Sequence, residues 1–179
     1  IKIEADVDGE VLPFDLLPDL KRISFSVKRE DGRKDLYLIP FSVQESRTTG
    51  PARMIFEGWS GGAYNIATSW SPDGKELALI HEGDIWIIPL EGGNPVQITD
   101  TPVSERWVNW SPDGKWISYK LYNQSAQAAT LHIIQPEEGN SRVVHQNCQL
   151  EPTWNSDSKS ITIFTDNELQ VISLDGKIL

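Results

Sequence analysis

The chain has 179 residues, which is enough for one domain with its own core or for part of a larger one. Its net charge of −10 and isoelectric point near 4.7 argue against binding to nucleic acid phosphates. No apolar stretch approaches the roughly 18 residues of a membrane span, and the single cysteine excludes an internal disulfide. We expect Cys148 to be a small apolar core residue rather than a reactive thiol.

The N-terminal part of the chain contains an isolated strand and a weak first repeat. Residues 1–5 predict a strand with no repeat of its own before it. In the first repeat, residues 16–21 precede three segments rich in β-branched and aromatic residues, which predict strands at 23–27, 35–39 and 53–56. Insertions fall at loop positions, where they are tolerated.

The second repeat contains a turn motif, because residues 70–75 read Trp-Ser-Pro-Asp-Gly-Lys. Proline presets φ for the second position of a type I turn, aspartate binds nearby backbone amides, and glycine adopts the left-handed conformation that follows. Short β-rich segments around the motif predict four strands, at 68–70, 77–80, 84–90 and 96–99.

The motif recurs twice more along the chain. Residues 110–115 repeat it letter for letter 40 positions later, and residues 154–159 form a decayed copy in which Ser158 replaces the glycine. Strands are predicted at 107–110, 116–119, 131–134 and 142–145 in the third repeat, and at 152–154, 161–164 and 169–172 in the fourth. Trp70, Trp110 and Trp154 recur in register, so we expect them to fill the core between repeats.

A period of about forty residues with four short strands is typical of a β-propeller blade. The sequence therefore predicts an all-β propeller of four-stranded antiparallel blades, about four in this chain. The approximate blades are 6–58, 59–100, 101–146, and 147–179 completed by the strand at 1–5. Two alternatives remain: a self-closed ring of four blades, or half of a six- to eight-bladed ring. A second copy of the chain, as a homodimer, or further sequence would complete such a ring.

The motif, followed by the strand Asp-Ile-Trp-Ile-Ile-Pro-Leu and a Gly-Gly turn, resembles the TolB-type, WD-repeat-like propeller family. The likeness is specific over residues 68–120, fair to 176 and weak before 60. It implies a module that binds proteins or peptides, with a periplasmic or other extracytoplasmic location. Relatives of the family also gate prolyl-oligopeptidase-like and tricorn-like peptidases, and a few are lyases. No functional residue carries over, because the shared motif is a structural turn.

Several patterns in this sequence resemble functional motifs of other proteins, but each has a structural explanation. Residues 58–62 match the Gly-x-Ser-x-Gly nucleophile elbow, but no helix pattern follows, so we expect a loop between blades. His81, His132 and His145 lack the spacing of metal ligands. Asp73 and Asp113 are expected to brace turns rather than to act as catalytic acids. We therefore predict no catalytic residue, no metal site and no cofactor.

The candidate binding surface is the edge that carries the connections between blades and the hairpins between second and third strands. Aromatic residues and arginine are enriched at binding hot spots. This predicted rim gathers eight residues: Trp59, Tyr64, His81, Glu82, Arg106, Trp107, Tyr122 and Asn123. In the alternative, Trp59 and Trp107 only cover the ends of the blade core.

The sequence leaves three functional hypotheses. The first is a non-catalytic propeller that binds a protein or peptide through its rim. The second is an accessory propeller that gates a peptidase whose active site lies outside this chain. The third is an enzyme with a site at the ring centre, such as a metal-dependent polysaccharide lyase, for which His132 and His145 are the residues to test.

Overall fold

A computed structural model describes residues 6–59, 68–123 and 128–179. All regular elements in these ranges are β-strands, which confirms the predicted all-β class. No helix within them is long and apolar enough to cross a membrane. The chain forms two compact units, Ile1–Asn65 and Ile66–Leu179.

The first unit contains sheet 1, with strands β1 (Glu10–Leu16), β2 (Arg22–Lys28), β3 (Lys34–Ser42), β4 (Arg47–Thr48) and β5 (Arg53–Trp59). The order is β1-β2-β3, and both β4 and β5 pair antiparallel with β3. The insertion at 44–51 therefore forms a small hairpin that the sequence did not predict. Alternating residues of β2, among them Ile23 and Phe25, pack with Ile39 of β3 as the core of this unit.

The second unit begins with sheet 2, formed by β6 (Thr68–Trp70), β7 (Glu76–His81), β8 (Asp84–Pro89) and β9 (Val96–Gln97). Its four antiparallel strands follow chain order, as the repeat predicts. Its two central strands, β7 and β8, pair over their whole length.

Sheet 3 has the same order, with β10 (Glu105–Trp110), β11 (Ile117–Asn123), β12 (Ala128–Ile134) and β13 (Ser141–His145). β11 and β12 are longer than predicted, because they pair continuously from Ile117 to Asn123. Tyr122 and Asn123 thus belong to a strand rather than to the hairpin loop.

Sheet 4 has three strands: β14 (Thr153–Trp154), β15 (Ser160–Thr165) and β16 (Glu168–Ser173). Ile178 forms an isolated antiparallel bridge with Ile172 of β16, where a fourth strand would begin. The predicted closing strand, residues 1–5, lies outside the described residues. Ring closure and blade number therefore stay predictions.

The repeated motif forms the same braced turn in sheets 2 and 3. In sheet 2, Asp73 accepts hydrogen bonds from Ser71 Oγ and Lys75 N at 2.7 and 3.1 Å. In sheet 3, Asp113 accepts the equivalent bonds at 2.7 and 3.2 Å. A further turn of this kind, at 173–177, escaped the sequence analysis because no tryptophan precedes its Ser-Leu-Asp-Gly-Lys string.

The decayed motif keeps the turn by another route. Ser158 adopts φ 56°, the left-handed conformation that glycine provides in the other copies. Its Oγ accepts a hydrogen bond from the backbone N–H of Asp113 at 3.0 Å, which joins the turns of sheets 4 and 3. A serine at this position therefore adds a contact that glycine cannot make.

Sheets 3 and 4 share one apolar core. Leu131, Ile133 and Val144 of sheet 3 pack with Ile161 of sheet 4, and partly buried Trp154 packs against them. The indole Nε1–H of Trp154 also donates to Asn109 O at 3.2 Å. Cys148 lies in the same core, as the sequence predicts. These contacts hold the two sheets face to face.

Candidate functional site

Four strand ends meet at one edge of the second unit. The backbone N–H of Glu105, at the start of β10, donates to Gly83 O in the β7–β8 hairpin at 2.8 Å. Glu105 also pairs with Leu121 near the end of β11. This edge, called the rim below, contains most of the residues that the sequence selected.

A β-bulge deforms the rim part of β10. Its pairing with β11 is regular at Arg106 and again at Asn109, but irregular between them. Trp107, inside the bulge, has φ 54°, which is unusual for a bulky residue. Bulges commonly redirect a side chain beside a functional site, and such backbone strain persists only where surrounding contacts hold it. Trp107 thus lies in a strand, as predicted, but in a deformed part of it that the sequence did not predict.

Two contacts hold the Trp107 ring in that position. Its Nε1–H donates to Glu151 Oε1 at 2.7 Å. The ammonium of Lys120 lies 4.3 Å from the ring centroid, a cation–π contact. Lys120 is only 1% exposed, and its Nζ also donates to Leu150 O at 3.1 Å. Burial lowers the pKa of the Lys120 ammonium, although the nearby Cys148 and Glu151 oppose that shift.

Beside this cluster, Arg106 and Tyr122 form an exposed pair. The guanidinium carbon lies 5.8 Å from the centroid of the Tyr122 ring. The pair borders an open groove of about 620 Å³, whose other lining residues are Pro102, Val103, Ser104, Leu121 and Thr130. The groove is therefore largely apolar, with one cation and several hydroxyl groups along its wall.

A buried carboxyl lies under the rim. Glu105 is 2% exposed; its Oε1 is 2.9 Å from Thr101 Oγ1, and its Oε2 has no hydrogen-bond partner in the described part of the chain. Burial raises the pKa of Glu105 to about 7, with a further contribution from Asp84. Thr101 Oγ1 is also 2.6 Å from Val103 O. A protonated Glu105 can donate from Oε1 to Thr101 while Thr101 donates to Val103, so that only Oε2 is left without a partner in the described residues.

The other predicted rim residues have varied surroundings. His81 ends β7 and contacts Trp86 edge to face, with ring centroids 5.9 Å apart. Glu82 is exposed in the hairpin, at φ 54°. Asn123 ends β11 and pairs with Ala128. Tyr64 lies outside the described residues.

Trp59 belongs to the first unit, where it ends β5. Its ring is 4% exposed, and Lys34 Nζ lies 5.0 Å from its centroid. This burial agrees with the alternative in which the ring covers the core. Of the Gly-x-Ser-x-Gly match, only Gly58 and Trp59 are described, so that motif stays without a structural test.

The remaining candidates for chemistry have local partners. His132 stacks on Tyr119 with centroids 5.3 Å apart and has Nε2 2.9 Å from Thr130 Oγ1. His145 lies on the neighbouring strand, with Nε2 3.4 Å from Thr165 Oγ1. Within residues 6–59, 68–123 and 128–179, no three His, Cys, Asp or Glu residues are grouped to hold a metal.

Glu105, Lys120 and Glu151 were not among the site residues predicted from the sequence. Lys120 stands between Tyr119 and Leu121 in a strand, a pattern that could have marked it as buried, whereas Glu105 has polar neighbours and gives no such signal. Glu151 follows Trp107 by 44 positions, so only the fold brings their side chains together.

Solved structures resemble this chain closely in fold. The putative TolB of Agrobacterium tumefaciens superposes with a TM-score of 0.66 at 18% identity, over 92% of this chain and 62% of the other. The chain has the TolB-type β-propeller fold. The oligogalacturonate lyase of Vibrio parahaemolyticus superposes with a TM-score of 0.68 at 14% identity, over 96% of this chain and 60% of the lyase. At these identities the likeness concerns the propeller fold alone.

One sequence relative is much longer than this chain. The uncharacterized peptidase YuxL of Bacillus subtilis is 33% identical over 106 residues, which are 56% of this chain and 15% of the peptidase. The chain thus corresponds to a small part of that relative. No protein-family model matches the chain.

Proposed function

We propose that this propeller is a non-catalytic binding module whose rim takes an extended peptide with an exposed carboxylate. The observation that carries the proposal is the Arg106–Tyr122 pair beside the apolar groove. In the described part of the chain, Arg106 makes no ion pair, so its guanidinium is available to a ligand. Guanidinium groups bind carboxylates in a two-pronged geometry, and tyrosine and arginine are common binding hot spots.

The surroundings of Arg106 favour an apolar peptide that ends in the carboxylate. Pro102, Val103 and Leu121 line the groove and suit apolar side chains. Tyr122, which also lines the groove, is held in β11 by its pairing with Ala129. Aromatic groups on an ordered strand bind with a small loss of conformational entropy.

The test uses two peptides that differ only at the C-terminus. One is an apolar pentapeptide with a free carboxylate, and the other is the same peptide amidated. Calorimetric titration is expected to show binding of the free acid and at least tenfold weaker binding of the amide. Arg106→Ala is expected to abolish this difference, because the guanidinium is gone.

Arg142→Ala is the matched control. Arg142 also lies over an aromatic ring, with its guanidinium carbon 5.1 Å from the centroid of Trp116, but not in the rim groove. The Arg142→Ala variant should bind the peptide with the free carboxylate as tightly as the wild type does. Equal binding of the two peptides, or loss of binding in both arginine variants, contradicts the carboxylate proposal.

A second candidate is the gating propeller of a peptidase, supported by the similarity to YuxL. In this case the peptide that the rim binds is a substrate on its way to an active site elsewhere. The candidate predicts that the parent gene also encodes a hydrolase domain. Sequencing the parent gene and labelling its product with a fluorophosphonate probe tests it, because a serine hydrolase reacts covalently with that probe.

A further inference from the structure

A second groove lies between sheets 2 and 3, away from the rim. It has a volume of about 470 Å³ and lies at the edge that carries the braced turns. Glu76 and Val96 of sheet 2 line one side, and Trp110, Lys115, Glu137 and Glu138 of sheet 3 line the other. None of these residues belongs to the rim described above.

The inner wall of this groove is apolar and contains an unsatisfied donor. Trp110 is 8% exposed, and its indole Nε1–H has no hydrogen-bond partner within the described ranges. The equivalent indole of Trp154 donates to a backbone carbonyl of the neighbouring sheet. The Trp110 indole nitrogen is itself buried, so the ring presents apolar surface to the groove rather than its N–H.

The mouth of the groove is negatively charged. Glu137 and Glu138 are exposed in the β12–β13 turn, and Glu76 lies on the opposite side. Within the described residues, the groove lining thus contains three carboxylates and one cation, Lys115. Partial burial, together with the carboxylates of Asp73 and Glu137, raises the pKa of Glu76. A cationic ligand would relieve this repulsion between carboxylates.

One side of the groove is also a sheet edge. β9 is the outermost strand of sheet 2, and its Val96 lines the groove with 53% of its surface exposed. An extended peptide can pair with such an edge through its backbone, while alternate side chains enter the groove or point outward. The edge thus fits a strand better than it fits a compact small molecule.

We propose that this groove binds an extended basic peptide segment. Its apolar side chains pack on Val96 and Trp110, and its lysine or arginine side chains face Glu76, Glu137 and Glu138. The site is separate from the carboxylate site at Arg106, and the two select peptides of opposite charge. Binding here does not require the rim proposal to hold.

The experiment compares two acetylated and amidated pentapeptides, one alternating valine with lysine and the other valine with glutamate. Both peptides lack a free carboxyl terminus, so the end group recognised at the rim is absent. NMR titration of the ¹⁵N-labelled chain follows the indole N–H signal of Trp110, which is assigned by its loss in Trp110→Phe. The lysine peptide is expected to shift that signal, because it packs against the Trp110 ring, and the glutamate peptide to leave it unchanged.

Charge variants complete the test. The double variant Glu137→Gln with Glu138→Gln should weaken binding of the lysine peptide about three- to tenfold, because two exposed charges of the mouth are removed. Glu168→Gln, an exposed glutamate of sheet 4, and Arg106→Ala should bind it as the wild type does. Equal binding of the two peptides, an unmoved Trp110 signal, or wild-type affinity in the double variant overturns the proposal.

Discussion

The ammonium of Lys120 lies 4.3 Å from the centroid of the Trp107 ring, in the strand bulge that shapes the rim. Through this contact the stability of the buried Lys120 charge depends on the Trp107 ring. Lys120 carries a charge into the protein interior, which is unfavourable by itself. Trp107 covers that charge and is in turn held by Glu151.

Removing the ring should therefore destabilise the second unit. Trp107→Ala is expected to lower the free energy of unfolding by about 2–3 kcal/mol, because it uncovers Lys120 and removes the bond to Glu151. Lys120→Met keeps the apolar stem without the charge and should change stability little. In a double-mutant cycle by urea denaturation, the two changes should show a coupling energy of about 0.5–2 kcal/mol. Strict additivity would show that the contact contributes nothing.

Glu105 should make the stability of the second unit depend on pH. Its folded-state pKa of about 7 lies above the ordinary glutamate value, so the folded form binds the proton more tightly than the unfolded form. The stabilisation is complete below the unfolded-state pKa of about 4.5 and declines as pH rises toward 7. The expected loss between pH 5 and 8 is on the order of 2 kcal/mol.

Glu105→Gln tests that dependence, because the amide has nearly the same shape and no charge. The variant should be more stable than the wild type at pH 8 and should lose most of the decline between pH 5 and 8. Glu168→Gln, at an exposed position, serves as the control. Parallel stability curves for wild type and Glu105→Gln would mean that Glu105 does not titrate in this range.

The sequence predicted the sheets better than the site, for a physical reason. Strands and turns depend on local chemistry: Asp73 braces its turn through Ser71 and Lys75, both two positions away. The register of Trp70, Trp110 and Trp154 likewise follows from the repeat period. The turn chemistry is visible within one repeat, and the register is visible from comparing the repeats.

The rim depends on contacts between distant segments and on departures from the repeat. Trp107 reaches Glu151 across 44 positions, and the bulge that orients it has no signature in the motif. The extended pairing of β11 with β12 moved Tyr122 from a loop into a strand. Such features arise from packing in three dimensions, so a single sequence predicts the edge but not the arrangement of its side chains.

Asp73 of the turn motif should stabilise the fold through the hydrogen bonds that it accepts. The Ser71 hydroxyl and then the Lys75 backbone N–H hold the pKa of the Asp73 carboxyl below its usual value. Such a group stabilises the fold above its unfolded-state pKa, and the effect is lost as pH falls through the folded-state pKa. Asp73→Ala should cost about 1 kcal/mol of unfolding free energy at pH 7, whereas Asp73→Asn, which still accepts both bonds, should cost less. Equal losses of unfolding free energy in the two variants, measured by urea denaturation, would contradict the proposal that Asp73 stabilises the turn by accepting hydrogen bonds.

Ser158 combines two opposite effects that substitutions can separate. Its φ of 56° is strained for a serine, while its Oγ accepts the bond from Asp113 N that joins sheets 4 and 3. Ser158→Gly removes both the strain and the bond, each worth about 1 kcal/mol, so stability should stay within about 0.5 kcal/mol of wild type. Ser158→Ala keeps the strain and loses the bond, and should be about 1 kcal/mol less stable. Thermal and urea denaturation of the two variants distinguish these contributions, because strain alone would make glycine clearly stabilising and the bond alone would make both variants equally unstable.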